Sequence, residues 1–402
     1  MTFESLGLSD PLMKAVRKSG YVEPTPIQQK AIPIILRGSD VTGVAQTGTG
    51  KTAGFTLPLL QLLGNRVRSS DNRIRALILT PTRELAAQIQ KSVSVYSRYL
   101  KLSSMSVYGG VGIKPQKEKL KRGVDVLVAT PGRLLDLFEQ NAIVFEALEI
   151  FVLDEADRML DMGFIRDIKH IASLLPKNRQ NLMFSATFPS GIRKLAKSIV
   201  TKPVEVNVCT QDVTLEEISE KFYSIAKSRK TELIIHLIRK EGWYQVLIFV
   251  RTKRGADKLV RSMRKESLES VSLHGSKSQA QRTRILDDFK RNKIQILIAT
   301  DIAARGIDIS ELSHVANFDL PSVPEDYVHR IGRTGRAGSR GKAISFVSPE
   351  DIKLLRGIEK YTKSAVVLEE VTGFQADHNV KKLVAEKKKP RHSPKRCGRS
   401  RQ

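Results

Sequence analysis

Ile150-Phe151-Val152-Leu153-Asp154-Glu155-Ala156-Asp157 passes from four apolar residues straight into three acids. Four consecutive apolar residues predict a strand buried on both faces, as in a parallel sheet. Carboxylates at the carboxyl end of such a strand lie where open α/β sheets bind their ligands. Taken alone, the cluster reads more simply as a solvated turn after a strand. A second stretch upstream shifts that weighting. Ala45-Gln46-Thr47-Gly48-Thr49-Gly50-Lys51-Thr52 follows the apolar run Val41–Ala45 and precedes a helical pattern opening at Ala53-Gly54-Phe55.

Strand, glycine-rich loop, Lys-Thr and helix, in that order, form the setting of a phosphate-binding loop. The strict pattern has Gly where Ala45 stands, so the loop is a variant; its plain alternative is a glycine-rich turn. Gly48 and Gly50 let backbone N–H groups converge on phosphate oxygens, and the helix N-terminus adds partial positive charge. Lys51 is placed to reach the β- and γ-phosphates of ATP, and the Thr52 hydroxyl to ligate Mg²⁺. Asp154 then supplies the second-strand carboxylate for Mg²⁺. Glu155, its neighbour, can orient and deprotonate an attacking water.

Working outward, short apolar runs alternate with longer amphipathic stretches twice over. The first series is Val41–Ala45, Ala76–Leu79, Met105–Tyr108, Val124–Ala129, Ile150–Leu153 and Asn181–Phe184. The second is Gln245–Val250, Ser270–Leu273, Gln295–Ala299, His314–Phe318 and Gly341–Phe346. Such alternation predicts α/β architecture with helices on both faces of parallel sheets. Two series predict two doubly wound domains: residues 1–208, a short linker at 209–217, and 218–374. With no Pro/Gly/Ser-rich spacer, the domains are expected to face each other across a central cleft. Residues 375–402 read as a basic, disordered tail.

A chain of 402 residues exceeds what one core usually supports. Its 41% hydrophobic and 27% charged residues are ordinary, but its net charge of +26 is not. Such an excess predicts a polyanionic partner or an anionic surface. Between Lys381 and Arg401 ten Lys and Arg face one Glu, which leaves +17 on the remainder, so the folded body is basic as well. Cys209 and Cys397 make neither a disulfide framework nor a zinc site. Glu4 and Asp10 near the start and the lack of an apolar h-region there lead us to expect no signal peptide, and no run approaches the roughly 18 apolar residues of a spanning helix. A reducing, cytoplasmic setting without a membrane is expected. Aromatics are 6% and not interleaved with basic residues, which argues against a base-stacking platform.

Asp154-Glu155-Ala156-Asp157 together with the variant loop resembles the DEAD-box ATP-dependent RNA helicase family of superfamily 2. Further motifs follow in family order. Gly20-Tyr21 and Pro24-Thr25-Pro26-Ile27-Gln28 resemble the Q motif within residues 1–29, with Phe3 at the upstream aromatic position. Pro81-Thr82-Arg83-Glu84-Leu85, Gly109-Gly110 and Thr130-Pro131-Gly132-Arg133 resemble first-domain RNA motifs, and Ser185-Ala186-Thr187 the coupling motif. In the second domain Phe249-Val250-Arg251, Gln279 with Arg282, Ala299-Thr300-Asp301, Ala304-Arg305-Gly306-Ile307-Asp308 and His329-Arg330-Ile331-Gly332-Arg333-Thr334-Gly335-Arg336 match. The resemblance spans Phe3 to Tyr361. The segment Gly50–Leu60 and the compact N-terminus look most like the bacterial RhlE-type subgroup.

The resemblance implies tandem RecA-like domains and an RNA-dependent ATPase that locally unwinds short RNA duplexes with little sequence specificity. The alternative is an ATP-gated RNA clamp or scaffold. ATP and Mg²⁺ are the implied cofactors. Tyr21, Gln28, Gln46, Thr47, Gly48, Thr49, Gly50, Lys51, Thr52 and Asp308 are implied to bind nucleotide. An amide such as Gln28 can pair with the adenine edge, although Thr25-Pro26 before it also read as a helix cap and first-turn Pro. Phe3 reads as core. Lys51, Glu155, Arg333 and Arg336 are implied to be catalytic, the two arginines as fingers stabilising transition-state charge on closure. Asp157, Ser185, Thr187 and His329 are implied to couple nucleotide state to RNA.

Pro81, Thr82, Arg83, Gly109, Gly110, Thr130, Gly132, Arg133, Arg251, Gln279, Arg282 and Thr300 are implied to hold the RNA sugar-phosphate backbone. Such contacts position without reading sequence and make affinity salt-dependent. The segment from Lys387 to Arg396 reads as a nonspecific RNA anchor, with a nuclear address or a solubilising run as alternatives. A monomeric core is expected, and ribosome assembly and RNA decay are the family's common settings.

Overall fold

The computed structural model describes residues 2–45, 48–65, 73–208, 218–304, 309, 312–335 and 341–375. The linker at 209–217, Gln46, Thr47, Asp308, Arg336 and all of the expected tail after residue 375 lie outside them. The chain divides into two compact units. The first contains β1 (Val41–Val44), β2 (Ala76–Leu79), β3 (Ser104–Val107), β4 (Val126–Ala129), β5 (Ile150–Leu153), β6 (Gln180–Ser185) and β7 (Val204–Asn207). The second contains β8 (Ile218–Ser224), β9 (Val246–Phe249), β10 (Ser270–Leu273), β11 (Ile296–Ala299), β12 (His314–Asn317), β13 (Gly341–Val347) and β14 (Leu368–Glu369).

Each unit is one seven-stranded sheet, ordered β3-β4-β2-β5-β6-β1-β7 and β10-β11-β9-β12-β13-β8-β14. Strand for strand the two orders are the same, so the chain winds one topology twice. Every pairing is parallel; Leu79 stands opposite Leu153, and Leu153 opposite Met183. The doubly wound α/β architecture expected from the alternation is therefore present in both units.

The first sheet is buried on both faces. Ala76, Ile78, Val126, Val128, Ile150, Val152, Leu182 and Phe184 point into one core. That core is closed by α1 (Asp10–Lys18), α2 (Pro26–Leu36), α3 (Lys51–Gly64) and α4 (Arg83–Tyr96). Their neighbours Leu77, Leu79, Leu127, Ala129, Phe151, Leu153 and Met183 point into the other. That second core is closed by α5 (Ile113–Leu120), α6 (Pro131–Glu139), α7 (Ala156–Asp161), α8 (Ile165–Leu174) and α9 (Ser190–Ile199). Two-sided burial is why β2, β4 and β5 read as unbroken apolar runs.

The second unit repeats the arrangement. α10 (Lys230–Glu241) and α11 (Lys253–Lys265) cover one face. α14 (Pro324–Ile331) and α15 (Ile352–Thr362) cover the other. The unit also contains α12 (Gln279–Lys290) and α13 (Asp301–Ala304).

The strand pattern left out β7, β8 and β14. In β7 only Val206 is buried, as befits an edge strand, so no apolar run marks it. β8 mixes Glu220 and Lys221 with Phe222 and Tyr223, which blurs both periodicities. The helix after the glycine loop starts at Lys51, two residues before the expected opening, with Gly50 in the left-handed conformation ahead of it. Among the described residues no helix is long and apolar enough to cross a membrane.

Candidate functional site

In the first unit, β6 lies between β1 and β5. The turn Ser185–Thr187 at the end of β6 therefore sits between the glycine loop after β1 and the acids after β5. The corresponding strand of the second unit, β8, is followed by Ile225-Ala226-Lys227 and no glycine loop. Among the described residues the glycine loop thus follows one of the two equivalent strands.

Gly48 and Gly50 have φ of 84° and 88°, values that favour glycine. At Gly50 a Cβ would also lie 2.4 Å from Gln28 Nε2 and 2.8 Å from Thr25 Oγ1. The close approach is used: Gln28 Nε2 donates to the Gly50 carbonyl at 3.1 Å. Gln28 Oε1 accepts from the Thr25 backbone N–H at 3.0 Å. Gln28 thus joins the start of α2 to the glycine loop, and its amide keeps one proton and one lone pair beyond these two bonds. Phe3 is buried as expected for core and stacks on Tyr21 at 6.2 Å. Tyr21 is exposed, and its hydroxyl meets that of Tyr96 at 2.8 Å.

Lys51 is 6% exposed, and its Nζ has no hydrogen-bond partner among the described residues. A buried, unsatisfied ammonium at the head of α3 is costly unless an anion meets it. The residues present therefore fit a phosphate group. Asp154 is buried beside it. Burial pushes the Asp154 carboxyl up to about 7, with Glu155 and Asp157 adding to the rise and Lys51 opposing it. A carboxyl so placed fits a bound cation, which would replace lost hydration with charge.

Glu155 takes φ 54°, left-handed for a residue with a side chain, a conformation that costs about 1–3 kcal/mol and concentrates at functional sites. Its backbone N–H donates to Asp154 Oδ1 at 3.0 Å, and its Oε2 accepts from Arg158 Nη1 at 3.1 Å. Both side chains of that pair are buried. Asp157 turns the other way. Its Oδ2 accepts from the backbone N–H groups of Ala186 (3.0 Å) and Thr187 (2.8 Å) and from Thr187 Oγ1 (3.1 Å). Ser185 Oγ accepts from the Asp157 backbone N–H at 3.1 Å, so this hydroxyl meets the main chain and not the carboxylate.

The first-unit residues expected at RNA gather on neighbouring loops. Thr82 caps α4 through the Leu85 N–H at 3.3 Å. The Arg83 guanidinium lies against Gly109 and Gly110. A Cβ at Gly110 would fall 1.8 Å from Arg83 Nη1, and Gly110 has φ 76°. Arg133 Nη2 donates to the Val111 carbonyl at 3.1 Å, and its Nε sits 3.2 Å from Asp136. Thr130 is buried ahead of α6, where Pro131 and Gly132 follow it. Pro81 is buried at the end of β2.

In the second unit Arg251 is tied down at backbone and side chain. Its N–H donates to Asp319 Oδ2 at 2.9 Å, and its Nη2 lies 3.3 Å from Asp351 Oδ1. Asp351 Oδ2 also accepts from the buried Lys230 Nζ at 2.8 Å. Gln279 and Arg282 are buried, and Arg282 Nη2 donates to the Ala303 carbonyl at 3.4 Å. Thr300 leads into α13 and accepts from the Ala303 and Ala304 N–H groups. Arg330 clamps Asp301 through two bonds of 2.6 and 2.7 Å. Arg333 is buried, and His329 half-buried on α14.

Arg158, Lys230 and Asp351 are among the groups not singled out from the sequence. Arg158 had one usable signal, an i,i+3 spacing from Glu155. Lys230 and Asp351 are 121 positions apart, and nothing local marks them.

The profile described as DEAD/DEAH box helicase matches residues 25–195, and the helicase conserved C-terminal domain matches 229–338. The DEAD-box ATP-dependent RNA helicase RhpA of Helicobacter pylori (strain B128) is 41% identical over 382 residues. That alignment covers 95% of this chain and 77% of RhpA. The chain belongs to the DEAD-box RNA helicase family. Another DEAD-box relative, CshA of Geobacillus kaustophilus (strain HTA426), is 42% identical over 362 residues, 90% of this chain and 77% of its own. Among solved DEAD-box structures, S. cerevisiae Dbp5 bound to RNA and ADP BeF3 aligns with a TM-score of 0.81 and 34% identity. It covers 92% of this chain and 95% of that one. Mss116p (NTE and C-tail double deletion) bound to ssRNA and AMP-PNP gives 0.83 and 30%, over 96% and 82%. The tandem RecA-like architecture of this DEAD-box chain accords with both. The relatives named here are RhpA and CshA, and the RhlE-type resemblance rests on the sequence segments quoted above.

Proposed function

We propose that this chain is an RNA-dependent ATPase that uses ATP binding and hydrolysis to remodel RNA and open short duplexes. The observation that carries the reading is the buried, unpartnered Lys51 Nζ at the head of α3, beside the buried Asp154. Lys51 with Gly48, Thr49 and Gly50 would receive the phosphates of ATP, with Gln46 and Thr47 completing the loop. Gln28 and Tyr21 would meet the base and Asp308 the ribose. Thr52 and Asp154 would hold Mg²⁺, which when bound neutralises phosphate charge.

Glu155 would act as general base on water. Arg158 holds one carboxylate oxygen, which would leave the other to accept from an attacking water. Arg333 and Arg336 are proposed as arginine fingers. Asp157 with Thr187, Ser185 and His329 would tie nucleotide state to RNA. Arg83, Arg133, Arg251 and the loops carrying Gly110, Thr130 and Thr300 would grip the sugar-phosphate backbone, with Gln279 and Arg282 behind them. The tail segment Lys387–Arg396 is assigned as a nonspecific RNA anchor, and cytoplasmic RNA metabolism as the setting.

A strand-displacement assay on a short RNA duplex tests this. Displacement with ATP that falls in the Glu155→Gln variant is expected. Equal displacement by that variant would separate remodelling from hydrolysis and contradict the proposal.

A further inference from the structure

α11 begins two residues after Arg251, at the carboxyl end of β9, and runs back along the sheet to the amino end of β10. Its inner face is Ala256, Leu259, Val260 and Met263, all buried. Its outer face carries Arg254, Lys258, Arg261 and Lys265, all exposed. At 3.6 residues per turn these four fall within an arc of roughly 60° and span about 16 Å.

A charged helix face is usually laced with acids that neutralise it. This one is not. The helix's one acid, Asp257, accepts from Ser272 Oγ at 2.7 Å, meets His274 Nε2 at 3.1 Å and has Lys277 at 3.9 Å. Glu266, just past the helix end, pairs with Arg239 at 3.0 Å. The side chains of Arg254, Lys258, Arg261 and Lys265 make neither a hydrogen bond nor an ion pair among the described residues. Like charges spaced i,i+4 also repel and weaken the helix that carries them. Four aligned, unneutralised cations suit a linear polyanion.

We infer that the Arg254–Lys258–Arg261–Lys265 stripe is a second RNA track, taking the phosphate backbone of the strand beyond the segment held at Arg251. The inference rests on the proposed RNA role of Arg251, whose position heads the stripe. Contacts of this kind carry charge and no sequence information.

The test uses the full chain, a short oligouridine that fills the core site alone, and one several times longer. Both are titrated with a non-hydrolysable ATP analogue over a salt series. In R254Q/K258Q/R261Q/K265Q, long-RNA binding should weaken roughly tenfold at low salt. The slope of log Kd against log salt should fall by about 3, at about 0.7 per lost contact. Short-RNA affinity, short-RNA-stimulated ATPase and melting temperature should stay at wild-type values. Arg254→Lys with Arg261→Lys should keep the wild-type slope, because charge and not shape is read.

An unchanged long-RNA slope, with short RNA still bound, overturns the stripe and leaves the ATPase reading standing. Equal loss on both RNAs also overturns it, by placing the stripe inside the core site. Loss of binding to phosphatidylglycerol vesicles with RNA binding intact would make the partner an anionic surface instead. Wild-type protein that binds neither RNA would overturn the proposed function itself, and the stripe with it.

Discussion

Glu155 and Arg158 form a buried ion pair, Oε2 to Nη1 at 3.1 Å, one turn apart on the segment that follows β5. The pair fixes a carboxylate that the backbone already presents at φ 54°. Removing only the charge, in Glu155→Gln, should leave ATP binding intact and lower hydrolysis by roughly 10²–10⁴, the usual worth of a general base. Single-turnover hydrolysis alongside equilibrium binding of labelled ATP checks this. Near-wild-type turnover would remove Glu155 from the role.

Gln28 bridges the α2 start and the glycine loop through Thr25 and Gly50. Gln28→Ala frees both, so the loop loses its brace at the residue before Lys51. ATP affinity should fall by about tenfold, the equivalent of one hydrogen bond of about 1.4 kcal/mol. Discrimination against GTP should fall with it. Competition binding with both nucleotides measures the two effects together. Lower affinity with unchanged discrimination would assign Gln28 to loop support alone.

Thr187 reaches Asp157 with both its N–H and its hydroxyl. Thr187→Val keeps the first and deletes the second, at a cost of about 1 kcal/mol. Duplex opening should drop more than RNA-stimulated ATPase, because the deleted bond joins the acidic turn to the end of β6 and touches no phosphate. Parallel loss of both activities would make Thr187 a structural residue of the ATP site.

Lys230 donates to Asp351 at 2.8 Å and to the Phe318 carbonyl at 3.2 Å, wholly inside the second unit. Burial alone would raise the Asp351 carboxyl, but Lys230 and the Ser348 hydrogen bonds outweigh it and hold it below its ordinary value of 3.8. A depressed carboxylate contributes stability that is present above the unfolded value and lost as pH falls through the folded one. The contribution should therefore persist down to about pH 4 and disappear below it. Lys230→Met should cost about 3 kcal/mol at pH 7, the low end for breaking a buried pair, since Arg251 still faces Asp351. Calorimetric melts of wild type and variant at neutral pH and below pH 4 should converge at the acid end. A gap that persists in acid would assign the effect to packing.

The sequence was most legible where burial is two-sided and chemistry is local. Ala76–Leu79 and Ile150–Leu153 have the bounds their apolar runs predict. β7 and β8 were missed, since an edge strand with one buried residue and a strand mixing Glu220 and Lys221 with aromatics carry no clean period. At the site, the glycine loop and the acids could be read because each is contiguous. The grip of Arg83 on Gly110, the Arg330 clamp on Asp301 and the Lys230–Asp351–Arg251 chain join distant positions. Only the fold brings them together. Ser185 shows the finer limit: its place beside Asp157 was foreseeable, but that it would serve the backbone N–H was not.

Steady-state ATP hydrolysis by the full chain, measured without nucleic acid, with single-stranded RNA and with DNA of the same sequence, tests the central claim most directly. Hydrolysis should be slow alone, accelerate with RNA and saturate with its concentration. DNA should stimulate far less, since 2′-hydroxyl contacts distinguish the two. Hydrolysis that is indifferent to RNA, or stimulated equally by DNA, would contradict the account.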